Sequence, residues 1–99
     1  MNREECAAFE ERIVQSLAKV DMEKFIIHIS VIFVSVRETG AKFHPFPEGV
    51  PTAFVEYCKD LDEKKIRDFF RSVKEVEDYT TTVFRIISKV IQAKNYRLK

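Results

Sequence analysis

Glycine and proline are scarce in this chain of 99 residues, which contains two glycines and three prolines. All five lie between Gly40 and Pro51, so the segments on either side continue without a helix-breaking residue. Two long segments of this kind are typical of helices. The sequence therefore predicts one all-α domain, 1–99, built as a compact bundle of five or six helices around a proline-rich loop, 41–51.

Cysteines and long hydrophobic runs are also rare, and each shortage argues against a class of protein. Two cysteines cannot build the disulfide framework of a small secreted domain. The longest apolar run, 25–36, covers twelve residues, whereas a membrane-spanning helix needs about 20. The polar start MNREEC does not resemble a signal peptide. We therefore expect a cytoplasmic protein that does not associate with a membrane.

No catalytic motif or metal-binding spacing occurs in the sequence. A structural zinc site uses four ligands arranged in close pairs. The two histidines and two cysteines, His28, His44, Cys6 and Cys58, are at least fourteen positions apart. Cys58 also falls in the pattern of an apolar helix face, where a buried thiol is unreactive. We expect neither an enzyme nor a bound metal or other cofactor.

The charges nearly cancel, because 17 basic residues are balanced by 16 acidic ones. A net charge of +1 argues against a nucleic-acid binder that works through its overall charge. The C-terminal segment is nevertheless basic, since no acid follows Asp78. One interpretation is a docking surface that binds nucleic acid or an acidic partner protein. The other is that these positive charges only stabilise the C-terminus of a helix. The residues of this candidate basic surface are Arg85, Lys89, Lys94 and Arg97.

The first predicted helix, 2–20, carries the main candidate interaction site. Asn2 and Glu5 form a capping-box pattern at its start. Apolar residues recur at intervals of three or four and produce one continuous stripe. The stripe is either core or a face that binds a partner helix or a second copy, and the pattern leaves both open. The candidate partner-binding residues are Phe9, Ile13, Val14, Leu17, Lys19 and Val20.

The second segment, 22–39, combines the composition of a strand with the ends of a helix. Its Ile, Val and Phe content favours a β-strand, but strands usually span only about 3 to 10 residues. Asp21 is a suitable N-cap, and Gly40 is a suitable residue to follow the helix C-terminus. We predict a helix that is apolar on nearly all sides, and therefore the central helix of the bundle rather than a docking site.

Three further helices are predicted in the C-terminal half, over about 52–60, 62–77 and 78–94. Thr52 is a suitable N-cap for the first, and Asp60 with Glu63 forms a capping-box pattern before the second. A bend is expected near Asp78. The last residues, 95–99, are expected to fray.

The order of these features along the chain carries a family resemblance. The amphipathic first helix leads through LAKVDMEKF to an apolar second helix that ends at RETG. A loop with a histidine, a short helix, the stretch EKKIRDFF and a closing helix follow. This arrangement resembles the AsiA family, the small anti-sigma proteins of T-even bacteriophages. The segment from about Ile13 to Gly40 aligns without gaps, and its matching residues are Leu17, Lys19, Val20, Glu23, Glu38 and Gly40.

The resemblance implies a transcription regulator. AsiA-like proteins bind the part of the host's primary sigma factor that reads the −35 promoter element. With a phage co-activator, they redirect RNA polymerase to phage promoters. Their first helix binds sigma and self-associates in the free protein, so a homodimer is expected here, with Ile13, Leu17, Lys19 and Val20 at the centre of the face.

Two other functions stay open on the residues themselves. One is a small DNA-binding regulator that uses the basic C-terminal helix. The other is an inhibitory protein with a different host target. The proline-rich loop and the longer basic tail depart from the family pattern and leave the choice of co-activator and the effects on promoters open.

Overall fold

The computed structural model describes the backbone of residues 1–39 and 46–98, and the side chains of 1–34 and 49–94. Within these residues the chain forms five α-helices and no β-strand, in a single bundle. The predicted all-α fold is therefore confirmed. The helices are α1 (Arg3–Leu17), α2 (Met22–Thr39), α3 (Phe46–Tyr57), α4 (Glu63–Val73) and α5 (Tyr79–Leu98).

The capping box predicted for α1 is present. Asn2 Oδ1 accepts a hydrogen bond from the Glu5 backbone N–H at 2.8 Å, and Glu5 Oε1 accepts one from the Asn2 N–H at 3.1 Å. These bonds satisfy two of the backbone N–H groups that a helix start leaves unpaired. Glu4 and Glu5 both lie in the first turn of α1, where their negative charges complement the positive end of the helix dipole.

The start of α3 differs from the prediction. The helix begins at Phe46 rather than after Thr52, and Pro51 lies inside it. Pro47 is tolerated in the first turn, where backbone N–H groups have no intrahelical partner, whereas Pro51 removes one helical hydrogen bond. Residues 41–45 of the predicted loop, which include His44, lie outside the described residues.

A different aspartate from the predicted one caps α4. Asp62 Oδ1 accepts a hydrogen bond from the Lys64 backbone N–H at 2.8 Å. Asp60, the predicted cap, instead accepts a hydrogen bond from the Ser16 hydroxyl and so connects this turn to α1. Sequence spacing could not separate the two, because Asp62 is as good a capping residue as Asp60.

A non-helical turn separates α4 from α5. α4 ends at Val73 rather than at 77, and Asp78 Oδ1 accepts from the Thr81 N–H at 2.7 Å at the start of α5. The predicted bend near Asp78 is thus a break between two helices. α5 then continues to Leu98, so the backbone of 95–98, predicted to fray, is helical.

The core is aromatic and aliphatic, and all five helices contribute to it. The Phe25 and Phe54 rings meet edge to face with centroids 5.1 Å apart, and Phe54 and Phe70 lie 4.9 Å apart. Such pairs add about 0.5–1.5 kcal/mol each beyond the area that they bury. The largest side chains without exposed surface include Phe25, Phe54, Phe69, Phe70, Ile13, Leu17, Ile66 and Ile86.

α2 lies at an edge of the bundle and not at its centre. It packs chiefly against α3, while α1 packs against α4 and α5, and α4 contacts both α3 and α5. A Cβ on Gly49 would lie 3.4 Å from Ile32 Cγ2, an ordinary contact distance, so α3 packs directly on α2 at this point. The prediction that the second helix is central is therefore wrong.

None of the helices within the described residues is long and apolar enough to cross a membrane.

Candidate functional site

The apolar stripe of α1 faces inward. Phe9, Ile13, Val14 and Leu17 have at most 4% of their surface exposed, and the Phe9 ring lies 5.8 Å from the Phe69 ring of α4. Side chains without exposed surface cannot form a docking face in this conformation. The structure therefore places these four predicted partner-binding residues in the core.

The other two predicted partner-binding residues lie just after α1. The Lys19 side chain is exposed, and Val20 is half-buried. The Val20 carbonyl accepts a hydrogen bond from Lys94 Nζ at 2.8 Å, which ties this turn to α5. Two neighbouring residues, one of them held by α5, do not provide the extended apolar face that the resemblance implies.

The predicted basic surface is largely neutralised from within. Arg85 Nη2 lies 2.6 Å from Glu10 Oε1, and Arg85 Nη1 donates to Glu77 Oε2 at 2.9 Å. Lys89 Nζ donates to the other Glu10 oxygen, Oε2, at 2.6 Å. Arg85 and Lys89, two of the four predicted cations, are therefore paired with acids. One of these acids, Glu10, is far away in the sequence.

The four side chains Glu10, Glu77, Arg85 and Lys89 form one charged network. Burial by itself raises the pKa of Glu10, but the hydrogen bonds and positive charges of Arg85 and Lys89 outweigh burial and hold it below the ordinary value of 4.5. The hydrogen bond from Arg85 likewise lowers the pKa of Glu77. Both acids are thus ionised at neutral pH, and the two positive and two negative charges cancel.

This cancellation corrects the interpretation of the C-terminal helix as a basic surface. Of the remaining predicted cations, Lys94 donates to a backbone carbonyl, and the side chain of Arg97 lies outside the described part of the structure. The positive field that would attract a nucleic-acid backbone is therefore weaker than the sequence suggests. The DNA-binding alternative loses its main support.

A stripe of exposed aliphatic residues on α2 is the clearest candidate interaction surface. Ile27, Val31 and Val34 are 58%, 57% and 52% exposed. Their spacing of four and three residues places them on one face of the helix. We call these three residues the α2 stripe. Sequence reasoning missed it because α2 is apolar on nearly all sides, so no contrast distinguished the packed face from the free one.

Exposed apolar residues of α5 extend the candidate surface. Phe84 and Ile91 are 59% and 43% exposed. The Phe84 ring stacks on Phe33 of α2 with centroids 6.2 Å apart, so the two helices are neighbours at this point. This contact places exposed apolar residues of α5 beside α2.

The described histidine and cysteine side chains, His28, Cys6 and Cys58, do not form a metal site. His28 Nδ1 lies 3.6 Å from Glu56 Oε2, and the ring packs against Tyr57. Cys58 is fully buried, and this burial raises the pKa of its thiol to about 11, so it is not a nucleophile at neutral pH. In the described residues, no three His, Cys, Asp or Glu side chains form a group that could hold a metal ion.

Comparisons of this chain with protein-family models, curated proteins and solved structures find no match. Function is therefore argued from the surface just described and from the order of motifs in the sequence.

Proposed function

We propose that this protein acts by binding rather than by catalysis, and that it docks a helix of a partner protein onto the α2 stripe. The observation that carries the proposal is the exposure of Ile27, Val31 and Val34, each more than half accessible. An exposed, contiguous apolar face of this kind is typical of interaction sites.

The spacing of the stripe favours a helical partner. Apolar residues at intervals of three and four are the pattern by which one helix inserts side chains between those of another. Glu23 and Lys24, both exposed, lie at the start of the stripe and provide charges of both signs. Charges at such a rim contribute to specificity and orientation more than to affinity.

The stripe alone is too small for tight binding. Burying the exposed halves of three aliphatic side chains contributes on the order of 2–4 kcal/mol, whereas micromolar affinity requires about 8 kcal/mol. The neighbouring Phe84 and Ile91 of α5 supply the additional apolar surface. The proposed interface therefore spans both helices, with the α2 stripe at its centre.

The partner that we propose is the −35-reading region of a bacterial host's primary sigma factor. The protein then acts as an anti-sigma regulator in the host cytoplasm and, with a phage co-activator, redirects RNA polymerase. The support is the order of motifs from Ile13 to Gly40, together with an all-α bundle that exposes an apolar helix face. Unlike the AsiA pattern, the proposed face belongs to α2, because the α1 stripe is buried.

Isothermal titration calorimetry of the purified chain against the isolated sigma region tests this proposal. Val31→Glu places a charge in the middle of the stripe and should weaken binding by at least about 30-fold, as the loss of a central anchor does. Val76→Glu makes the same change at a side chain that is 81% exposed in the α4–α5 turn, and should leave affinity unchanged.

Three results separate the possibilities. Equal binding by wild type and Val31→Glu would show that the α2 stripe is not the docking face. No binding of wild-type protein to the sigma region would exclude the anti-sigma function. Tight binding to duplex DNA that weakens steeply with salt would favour the DNA-binding regulator instead.

A further inference from the structure

A cavity of about 430 Å³ lies away from α2, between the first turns of α1, the end of α4 and the middle of α5. Its volume falls in the range of about 300–1,000 Å³ that is usual for small-molecule sites. Part of its lining is apolar and accessible, because Cys6, Ala7 and Val76 contribute to it. The surface therefore suits the apolar body of a ligand.

The charged network also lines the cavity. Glu10 Oε1 accepts hydrogen bonds from Arg85 Nε and Nη2, and Glu10 Oε2 accepts from Arg85 Nε and Lys89 Nζ. A carboxylate has about four acceptor sites. The acceptor capacity of this buried acid, which is 6% exposed, is therefore used up.

The Lys89 ammonium group of this network still has free hydrogen-bond donors. An ammonium group has three N–H donors, and Lys89 uses one of them on Glu10 Oε2. The Lys89 side chain is 44% exposed, so its ammonium can reach a ligand in the cavity. Glu75 and Glu77 also line the cavity, and Glu77 accepts from Thr82 and Arg85. The remaining donors of Lys89 can therefore pair with acceptor oxygens of a ligand.

We propose that this cavity binds a small organic acid with an apolar body, such as an aryl or alkyl carboxylate or sulfonate. The anionic group lies against Lys89, and the apolar body covers Ala7 and Val76. The site goes beyond the proposed docking function, since none of its lining residues within the described part of the chain belongs to α2.

The fluorescent aryl sulfonate 8-anilinonaphthalene-1-sulfonate is a suitable probe, since it combines an apolar body with an anionic group. Titration of the full chain should give saturable binding of one molecule. Lys89→Met keeps the apolar stem, removes the donors and should weaken binding by about tenfold, the effect of losing a charge-assisted hydrogen bond. Ala7→Trp fills the cavity from an exposed position and should abolish binding.

Two control variants locate the bound probe. Lys65→Met makes the same chemical change at an exposed α4 position outside the cavity and should bind the probe normally. Val31→Lys removes apolar character from the α2 stripe and should also bind normally. Circular dichroism of every variant confirms that the fold is retained.

Cys6 provides a second readout, because it lines the cavity and is partly exposed, while Cys58 is buried. The bound probe should slow alkylation of Cys6 by iodoacetamide several-fold. The proposal is overturned if wild-type protein shows no saturable binding, if the probe leaves Cys6 alkylation unchanged, or if Val31→Lys abolishes binding while Lys89→Met does not.

Discussion

At the scale of single residues, Glu10 shows that a contact with residues far away in the sequence can bury and pair a charged side chain. It sits on the same helix as the apolar stripe, and a charged residue at such a position reads from sequence as a solvated flank. In the structure it is buried and accepts hydrogen bonds from two cations of α5. Neither the acid nor its partners could be recognised from local spacing, because 75 residues separate Glu10 from Arg85.

The network predicts a specific loss of stability in acid. The pKa values of Glu10 and Glu77 lie below the ordinary value of 4.5, so their stabilisation is fully present above that pH. It is lost as the pH falls below 4.5 and through the lowered pKa values, because the unfolded state then binds more protons than the folded state. Urea unfolding at pH 7, 5, 4 and 3 should show this decline.

Glu10→Gln tests the origin of that decline. The variant should lower the free energy of unfolding at pH 7 by about 2 kcal/mol, at the lower end for a lost ionic hydrogen bond because Arg85 and Lys89 are partly solvated. It should also show a smaller loss in acid than wild type. Glu4→Gln, at an exposed position, is the matched control. An unchanged acid profile in Glu10→Gln would contradict the assignment.

Leu17 separates a core role from a surface role for the α1 stripe. The side chain has no exposed surface, so Leu17→Ala should lower the free energy of unfolding by about 2–5 kcal/mol. Val31→Ala, at a side chain that is 57% exposed, should change it by no more than about 0.5 kcal/mol. Chemical unfolding followed by circular dichroism measures both, and equal costs would contradict the burial pattern.

At the scale of the helices, sequence periodicity located the elements better than their partners. The range predicted for the second helix, 22–39, agrees with Met22–Thr39, because Asp21 and Gly40 are strong end signals. The predicted start of α3 at Thr52 is wrong, because the sequence pattern places both prolines in the loop. A helix tolerates Pro47 in its first turn, and this helix also contains Pro51 at the loss of one hydrogen bond. Local chemistry therefore fixes where a helix lies more reliably than which side of it is covered.

The cap of α4 gives a test at this scale. Asp62→Ala removes the acceptor for the Lys64 N–H and should cost about 1 kcal/mol of stability. Asp62→Asn retains a capping oxygen and should cost much less. Thermal unfolding of the two variants measures the difference, and equal melting temperatures would show that the side chain does not act as a cap.

At the scale of the whole molecule, packing decides which apolar surface is free. Both α1 and α2 carry enough apolar residues to pack against other helices. Their composition does not show which of their faces is buried. The stripe of α1 is covered by α4 and α5, whereas α2 packs chiefly on α3 and leaves Ile27, Val31 and Val34 accessible. The candidate docking face could not be predicted because it depends on this arrangement of five helices.

Hydrogen–deuterium exchange of the full chain, with and without the isolated sigma region, tests this central claim most directly. We predict that added sigma region slows amide exchange in peptides that cover 24–34 of α2 and leaves those that cover 9–17 of α1 unchanged. Slower exchange confined to the α1 peptides, with α2 unaffected, would contradict the claim that α2 carries the docking face.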